Sequence, residues 1–357
     1  NYENPLSVLY YADALKMNQN YEEAKAQYQH YKELVPDDPR GSDGILACDL
    51  SLQWMDKPSG YQVEEMKFLN SKYSDYSPAY ARSDYQEVYF TSSREEAAGN
   101  SEHGGTGQQF SDIFFSSEDK KGKWSTPLPL PEPVNSEAEE GTPVFSADFN
   151  TLYFTRCSIS KRKALGCEIF TAKREDEDKW SNVESLGLAP DSVVIAHPAL
   201  SKDQMTLYFV SDMDGSIKTP EGKNSKDIWM VTRTDARAKW GQPQNLGAPV
   251  NSPGDELFPF VHADNTLYFS SNGHIGMGGL DIFKARKTDA QWQVENMKYP
   301  INTAADDFGI IFENELESGY FSSSRKGKGN DDVYSFVLPP LKFSLVGVVR
   351  NERTDEV

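Results

Sequence analysis

Few residues in this sequence stand at the spacings that catalysis or metal binding needs. The five histidines show no paired spacing of a zinc site; they are His30, His103, His197, His262 and His274. The run Asp212-Met213-Asp214-Gly215-Ser216 opens like a calcium loop, but Lys223 occupies the position of its final glutamate. The sequence therefore predicts no catalytic residue, no metal site and no cofactor.

The cysteines offer one reactive pair. Cys157 and Cys167 flank a loop that joins two predicted antiparallel strands. Cross-strand neighbours lie close enough to be bridged, so we expect a disulfide between them in an oxidising compartment. Cys48 is expected to be a buried free thiol. Three cysteines are too few for a fold built on disulfides.

An acidic residue recurs once in each of five sequence repeats, directly before an apolar and an aromatic residue. These acids are Asp112, Glu168, Asp227, Asp281 and Asp332. A ligand site rarely needs fivefold copies, so we interpret them as structural. Each is expected to accept backbone N–H hydrogen bonds and to hold the adjacent loop.

Less repetitive residues of the long loops are better candidates for binding a partner. They are Arg94, Arg156, Asp212, Asn272 and Arg325. Function tends to lie on loops held by a rigid scaffold. The long loops follow the second and fourth strands of each repeat, and these loops emerge on the same face. We therefore predict that this face carries the binding surface.

The repeats that position these residues run from Ser77 to about Phe336. Each begins with an extended segment such as Pro143-Val144-Phe145, continues to a strand ending in Tyr-Phe, and then to the acid-led strand. The Tyr-Phe pairs end at Phe90, Phe154, Phe209, Phe269 and Phe321. A fourth, Trp-led strand follows four of them, at Trp124, Trp180, Trp240 and Trp292. Short antiparallel strands repeated in this way predict a mainly β fold, a five-bladed β-propeller of four-stranded blades. Six blades are the alternative.

The missing fourth strand of the last repeat has a substitute ahead of the first. Residues 63–70 stand where a Trp-led strand would precede a repeat. We expect this strand to complete the last blade non-covalently, which leaves no open sheet edge at the seam. The predicted propeller spans residues 61–338.

Residues 1–60 are predicted to be helical. Apolar residues recur at helical spacing in two stripes, the second containing Tyr21, Ala24 and Tyr28 and ending at Pro36. The run Asn20-Tyr21-Glu22-Glu23-Ala24 resembles a tetratricopeptide repeat. An ordinary helical hairpin is the alternative.

Composition limits the classes of partner. The chain has 357 residues with 36 basic and 55 acidic side chains, a formal net charge of −19. Such a balance argues against nucleic acid, whose binding needs a basic surface. No stretch approaches the roughly 18 apolar residues of a membrane span.

The order of these segments is similar to that of OmpA-family lipoproteins of Bacteroidota. The repeats resemble WD40-like units of TolB-type periplasmic proteins, and residues 339–357, with Lys342 to Asn351, look like the start of a carboxypeptidase-regulatory-like β-sandwich. Some members of that family serve type IX secretion and gliding.

The resemblance implies a periplasmic scaffold, not an enzyme, tethered to the outer membrane by a lipid anchor outside this chain. Its partners would be proteins of a secretion or motility complex, and peptidoglycan through a domain that is not in this chain. The alternatives are a glycan- or peptide-binding propeller, or a propeller enzyme such as a lyase or a peptidase-associated protein.

Overall fold

Three helices precede five four-stranded antiparallel sheets in the computed structural model. The structure describes residues 4–97, 109–160, 163–176, 179–189, 193–289, 291–340 and 352–354. The prediction of a five-bladed propeller is confirmed, and the six-bladed alternative is wrong. Most of residues 339–357, where a β-sandwich was expected to start, lie outside the described residues.

The helices are α1 (Pro5–Met17), α2 (Tyr21–Leu34) and α3 (Pro39–Asp56). α1 and α3 each begin with a side-chain cap and a proline: Asn4 Oδ1 accepts from Leu6 N–H, and Asp38 from Arg40 N–H. α2 packs closely on α3 because Gly44 has no side chain, and a Cβ there would lie 2.4 Å from the Tyr28 ring. The three helices thus share one small hydrophobic core. The similarity of this segment to a tetratricopeptide repeat stays a prediction.

The blades are numbered along the chain, and within each the first strand lies nearest the axis. Blade 1 consists of β2 (Asp75–Tyr80), β3 (Glu87–Ser92), β4 (Asp112–Ser117) and β5 (Leu128–Pro129). Blade 2 consists of β6 (Glu139–Phe145), β7 (Thr151–Ser160), β8 (Lys163–Asp176) and β9 (Lys179–Ser185). Blade 3 consists of β10 (Ile195–Leu200), β11 (Thr206–Ser211), β12 (Asp227–Thr232) and β13 (Gln244–Asn245). Blade 4 consists of β14 (Glu256–Val261), β15 (Leu267–Ser271), β16 (Asp281–Thr288) and β17 (Gln291–Asn296).

Blade 5 is closed by the strand that precedes the repeats. It contains β18 (Asp307–Phe312), β19 (Ser318–Ser323) and β20 (Asp332–Val337), with β1 (Gln62–Glu65) at its outer edge. β1 pairs with β20 in antiparallel register from Gln62 opposite Val337 to Glu65 opposite Tyr334. The expected closure is therefore present, although the paired strand is shorter than predicted.

Aromatic pairs hold neighbouring blades together. Tyr89 of blade 1 lies against Trp180 of blade 2, with ring centroids 6.3 Å apart, and Trp180 Nε1–H donates to its hydroxyl at 3.4 Å. Tyr320 of blade 5 meets Trp124 of blade 1 in the same way. Tyr61, just before β1, takes the place of the tryptophan in the core between blades 4 and 5. Each such pair stabilises the ring by about 0.5–1.5 kcal/mol beyond its burial.

The first strand of every blade is bulged near its middle, where the strand register shifts. These residues are Ser77, Thr142, His197, Phe258 and Gly309, with φ between 49° and 63°. Glycine adopts this left-handed region freely, whereas a side chain there costs roughly 1–2 kcal/mol. Four of the five bulges are therefore strained, and all five surround the axis.

The helical segment lies against loops of blades 3 and 4. Arg40 Nη1 lies 3.2 Å from Glu221 Oε1 in the loop between β11 and β12. A Cβ at Gly279, in the corresponding loop of blade 4, would lie 3.6 Å from Met17 Cε. The helices thus contact the loop face that the sequence indicated as a binding surface. Among the described residues, no helix is both long and apolar enough to cross a bilayer.

Candidate functional site

A pocket of about 270 Å³ occupies the propeller axis. Its walls come from the first strands of all five blades and from the turns that follow those strands, such as Ser146 and Gln204. The first strands run toward these turns, so the pocket opens on the turn face. This is the face opposite to the long loops that the sequence indicated.

The pocket wall is largely apolar. Proline directly follows the bulged residue in four blades, at Pro78, Pro143, Pro198 and Pro259, and all four line the pocket. Aromatic rings complete the wall, among them Tyr80, Tyr85, Phe149 and Phe260. A mostly apolar concavity with a few placed polar groups is the usual form of a small-molecule site.

The bulged residues form the polar part of the pocket and join blade to blade. The backbone N–H of Ser77, of Thr142 and of His197 each donates to a hydroxyl of the preceding blade, at 2.9–3.0 Å. These hydroxyls belong to Ser322, Thr91 and Thr155 respectively. The Ser77 hydroxyl itself is buried and has no hydrogen-bond partner among the described residues.

The joint between blades 3 and 4 has no hydroxyl at this position. The position of the hydroxyl residue is occupied by Val210, and Phe258 N–H donates instead to His197 Nδ1 at 3.2 Å. The two rings stack with centroids 4.0 Å apart and an interplanar angle of 17°. Burial lowers the pKa of His197 to about 3, and the charge of Lys226 acts in the same direction. The imidazole is therefore neutral at physiological pH.

One ion pair lies at the pocket mouth. Lys202 follows the first strand of blade 3, Glu315 follows that of blade 5, and Lys202 Nζ lies 3.5 Å from Glu315 Oε1. Both side chains are more than half exposed. Such a pair contributes about 0–1 kcal/mol, so it opens easily.

The three arginines predicted to bind a partner lie at the other end of the first strands. Arg94 pairs with Asp75, and its side chain is only 10% exposed. Arg156 Nε donates to Glu140 at 2.6 Å, and Arg325 Nη2 donates to Asp307 at 2.5 Å. Each guanidinium also lies over aromatic rings of its own blade. Their charges are thus neutralised inside the blades, which leaves little of them for a partner.

Blade 4 replaces this ion pair by neutral groups. Glu256 stands where blades 1, 2 and 5 have the paired acid, and Ser252 and Ser271 hydroxyls donate to it at 2.5 and 2.7 Å. Burial raises the pKa of Glu256 to about 8, although these hydrogen bonds lower it. His274 takes the place of the arginine, donating from Nε2 to Val250 O at 2.9 Å, and burial lowers its pKa.

The remaining two predicted partner residues hold loops. Asp212 Oδ1 accepts from Val194 N–H at 3.1 Å, and Asn272 Oδ1 accepts from Asp255 N–H at 2.8 Å. Asn272 is exposed on the loop face, whereas Asp212 is half-buried. The structure therefore does not bring the five predicted residues together into one site.

The five acids that open the third strands lie beside the loops before them. Asp227, Asp281 and Asp332 are fully buried and accept from backbone N–H groups of those loops. Burial raises the pKa of Asp281 to about 6. Glu168 is half-buried and accepts from the Ser185 hydroxyl, while Asp112 is fully buried at the start of β4.

A second repeat, which we did not identify from the sequence, holds four of the five blades. An asparagine is followed by serine or threonine and, five residues after the asparagine, by the buried acid of the first strand. The asparagines are Asn70, Asn135, Asn251 and Asn302. Each accepts an N–H from the third strand and donates to a carbonyl of that strand. The signal was available in the sequence as four copies of this spacing.

A disulfide joins Cys157 and Cys167 across β7 and β8. It was expected from the sequence, and Cys48 is a buried free thiol as expected. The disulfide belongs to blade 2, whose second and third strands are the longest among the described residues of the propeller. It lies on the loop face, away from the axial pocket.

Comparison with known proteins shows that this chain shares its fold with several solved structures. No family model and no curated protein sequence matches the chain. A family 117 glycoside hydrolase of the marine bacterium Zobellia galactanivorans is 12% identical with a TM-score of 0.50, over 78% of this chain and 89% of that one. A second structure, described as a glycoside hydrolase, is also 12% identical with a TM-score of 0.50, over 85% of this chain and 98% of that one.

These neighbours correct two predictions. The sequence led us to a non-enzymatic scaffold of a secretion complex, and to a chain that is not an enzyme. Both are contradicted, because the propellers that this chain resembles are glycoside hydrolases and favour the glycan-related alternative. At 12% identity, the likeness itself establishes the shared fold alone.

Proposed function

We propose that this propeller binds a neutral glycan in its axial pocket. The observation that carries the proposal is the pocket itself, which surrounds about 270 Å³ with aromatic rings and a few polar groups. The fold likeness to glycoside hydrolases supports the choice of glycan over other ligands.

The size of the pocket favours a short ligand. Small-molecule sites usually enclose about 300–1,000 Å³, and this pocket lies just below that range. One sugar ring, or the end of a chain, is therefore the expected occupant. The open mouth on the turn face lets the rest of a chain extend into solvent.

The lining matches the two-sided chemistry of a sugar. The C–H face of a pyranose or furanose is apolar and packs on aromatic rings such as Phe258 and Phe260. The hydroxyls at its edge need donors and acceptors, which Thr142, His197 and Gln204 can provide.

Charge favours a neutral sugar. The one cation in the described lining is Lys202, and its ammonium lies near the Glu315 carboxylate. No carboxylate is among the described residues that line the pocket. Hydrolysis by the usual route needs two carboxyl groups about 5–10 Å apart, so the proposal extends to binding alone.

The proposal is tested by glycan-array binding followed by calorimetry, using the whole chain. Ala263 lies in the turn at the pocket mouth, and Ala263→Trp would fill the mouth. Ala236 is exposed on a turn between third and fourth strands, on the same face but away from the axis, so Ala236→Trp is the matched control.

We expect wild type and Ala236→Trp to bind a neutral sugar, and Ala263→Trp to lose at least tenfold in affinity. Equal binding by both variants would place the site elsewhere. An array with no bound sugar would refute the proposal. Sugar release from the bound glycan, measured in the same samples, would extend it to hydrolysis. The similarity to OmpA-family lipoproteins and a periplasmic location remain predictions.

A further inference from the structure

Among the five bulged residues, His197 is the one whose side chain carries nitrogen atoms. It is the third residue of β10, with φ 52°, and it lines the pocket. The other bulged residues are serine, threonine, phenylalanine and glycine, none of which presents an N–H from its side chain. The stacked His197 and Phe258 rings form one surface of the pocket.

The neighbouring joint fixes the tautomer of His197. Phe258 N–H donates to Nδ1 at 3.2 Å, which requires a lone pair on Nδ1. A neutral imidazole has one N–H, so the proton must lie on Nε2. Val210 explains the arrangement, because its side chain cannot accept the hydrogen bond that Thr91, Thr155 and Ser322 accept at three of the other joints.

Nε2 is then a hydrogen-bond donor whose position is fixed by the Phe258 contacts, and no described residue accepts from it. It makes no hydrogen bond to any described residue, and it is not sealed from solvent, unlike the Ser77 hydroxyl. Its ring cannot turn without losing both the Phe258 hydrogen bond and the stack. Fixed donors of this kind discriminate strongly between ligands, because an unmatched polar group in a closed site costs free energy.

We propose that His197 selects the ligand by donating from Nε2 to one oxygen of the sugar, a hydroxyl or a carbonyl oxygen. The proposal rests on the proposed glycan function and adds the residue that orients the ring. The rings of Phe258 and Phe260 would then contact the apolar face of the sugar ring whose oxygen accepts from His197.

Asparagine is the sharpest substitution at this position. It tolerates the left-handed region better than most residues, and its Oδ1 can accept from Phe258 N–H as Nδ1 does. It carries no donor where Nε2 lies. His197→Asn should therefore keep the hydrogen bond to Phe258 N–H while losing the donor and the stacked ring, so the deoxy sugars below are needed to isolate the donor.

The probes are methyl glycosides of neutral hexoses and pentoses, with the monodeoxy series of whichever binds tightest, measured by calorimetry. We expect His197→Asn to bind about tenfold more weakly, the worth of one hydrogen bond. One deoxy position should cost the wild type about tenfold and cost His197→Asn nothing. Equal affinities of the two proteins, or no deoxy position coupled to the substitution, would overturn the proposal.

A measurement on the free wild type separates this proposal from the glycan function. The side-chain 15N shifts of His197 at pH 7 should report the neutral Nε2–H tautomer. A proton on Nδ1, or an imidazolium, would overturn the fixed donor whatever sugar binds. If the tautomer is as expected but no methyl glycoside binds, then the proposed glycan function fails, and His197 as a sugar-selecting residue fails with it.

Discussion

The two ends of the propeller axis are built on different principles. At the loop end, four blades place a buried acid that accepts from a serine or threonine of the loop before it. The asparagine beside that serine or threonine binds the third strand of the preceding blade. At the turn end, the five bulged positions hold five different residue types around an open pocket. Repetition around the ring maintains the blades, and departure from it creates a surface that a ligand can distinguish.

The largest expected effect is at the loop end, where Arg325→Ala leaves the Asp307 carboxylate buried and unpaired. Removing one partner of a buried ion pair costs about 3–5 kcal/mol. Urea denaturation should show this loss in the free energy of unfolding. A change below about 1 kcal/mol would mean that the loop end is not the structural half of the molecule.

A smaller loss is expected from Asn302→Ala. Asn302 Oδ1 accepts from Ile282 N–H at 2.7 Å and Nδ2 donates to Ile282 O at 2.8 Å. The buried N–H would lose this partner, whereas the carbonyl would keep the hydrogen bond from Met297 N–H. We expect a loss of about 2 kcal/mol with unchanged sugar affinity. Asn330→Ala, at an exposed loop position, is the control and should change stability by less than about 0.5 kcal/mol. Equal effects of the two variants would show that the asparagine repeat does not clamp the blades.

Blade 4 should give the loop end a pH dependence of its own. The folded pKa of Glu256 is about 8, above its ordinary 4.5, so its stabilising effect is full below about pH 4.5 and is lost as the pH rises to about 8. The lowered pKa of His274 acts oppositely and is common to both proteins. The unfolding free energy of wild type minus that of Glu256→Gln should therefore decrease as the pH rises from 5 to 8. A difference that increases would show that Glu256 is ionised in the fold.

The smallest effect is expected at the turn end, from Lys202→Ala. The pair with Glu315 is exposed, so we expect a loss of less than about 1 kcal/mol in denaturant unfolding. If the ligand is neutral, sugar affinity should change by less than twofold. A tenfold loss would instead indicate an anionic ligand held by Lys202.

The blades could be predicted from the sequence because their signals are local and repeated. Five Tyr-Phe pairs and four Trp-led segments predict the strands. The lack of a Trp-led segment after Phe336 indicates that the first strand closes the ring. The ion pairs of the three arginines were not predicted, because their acid partners, such as Asp75, precede them by about twenty residues. Only the folded sheet places the two side by side.

The pocket could not be predicted for a different reason. Its prolines were visible as repeat starts, but serine, threonine, histidine and phenylalanine give no sign of a left-handed backbone. The register shift at each bulge is visible only once the first and second strands are paired. Loop length directed attention to the opposite face, although long loops there are occupied in bracing the blades and contacting the helices.

Closure by β1 also has a consequence for synthesis. Asn70 clamps Val333, a residue 263 positions later in the chain, and β1 pairs beside it. On the ribosome, the first strand must therefore wait for nearly the whole propeller before it finds its partner. Contacts this distant slow folding, and until they form, the edges of β1 and β20 are available to other chains. Premature termination before residue 332 would leave a ring that cannot close, so a closed propeller shows that synthesis has passed β20.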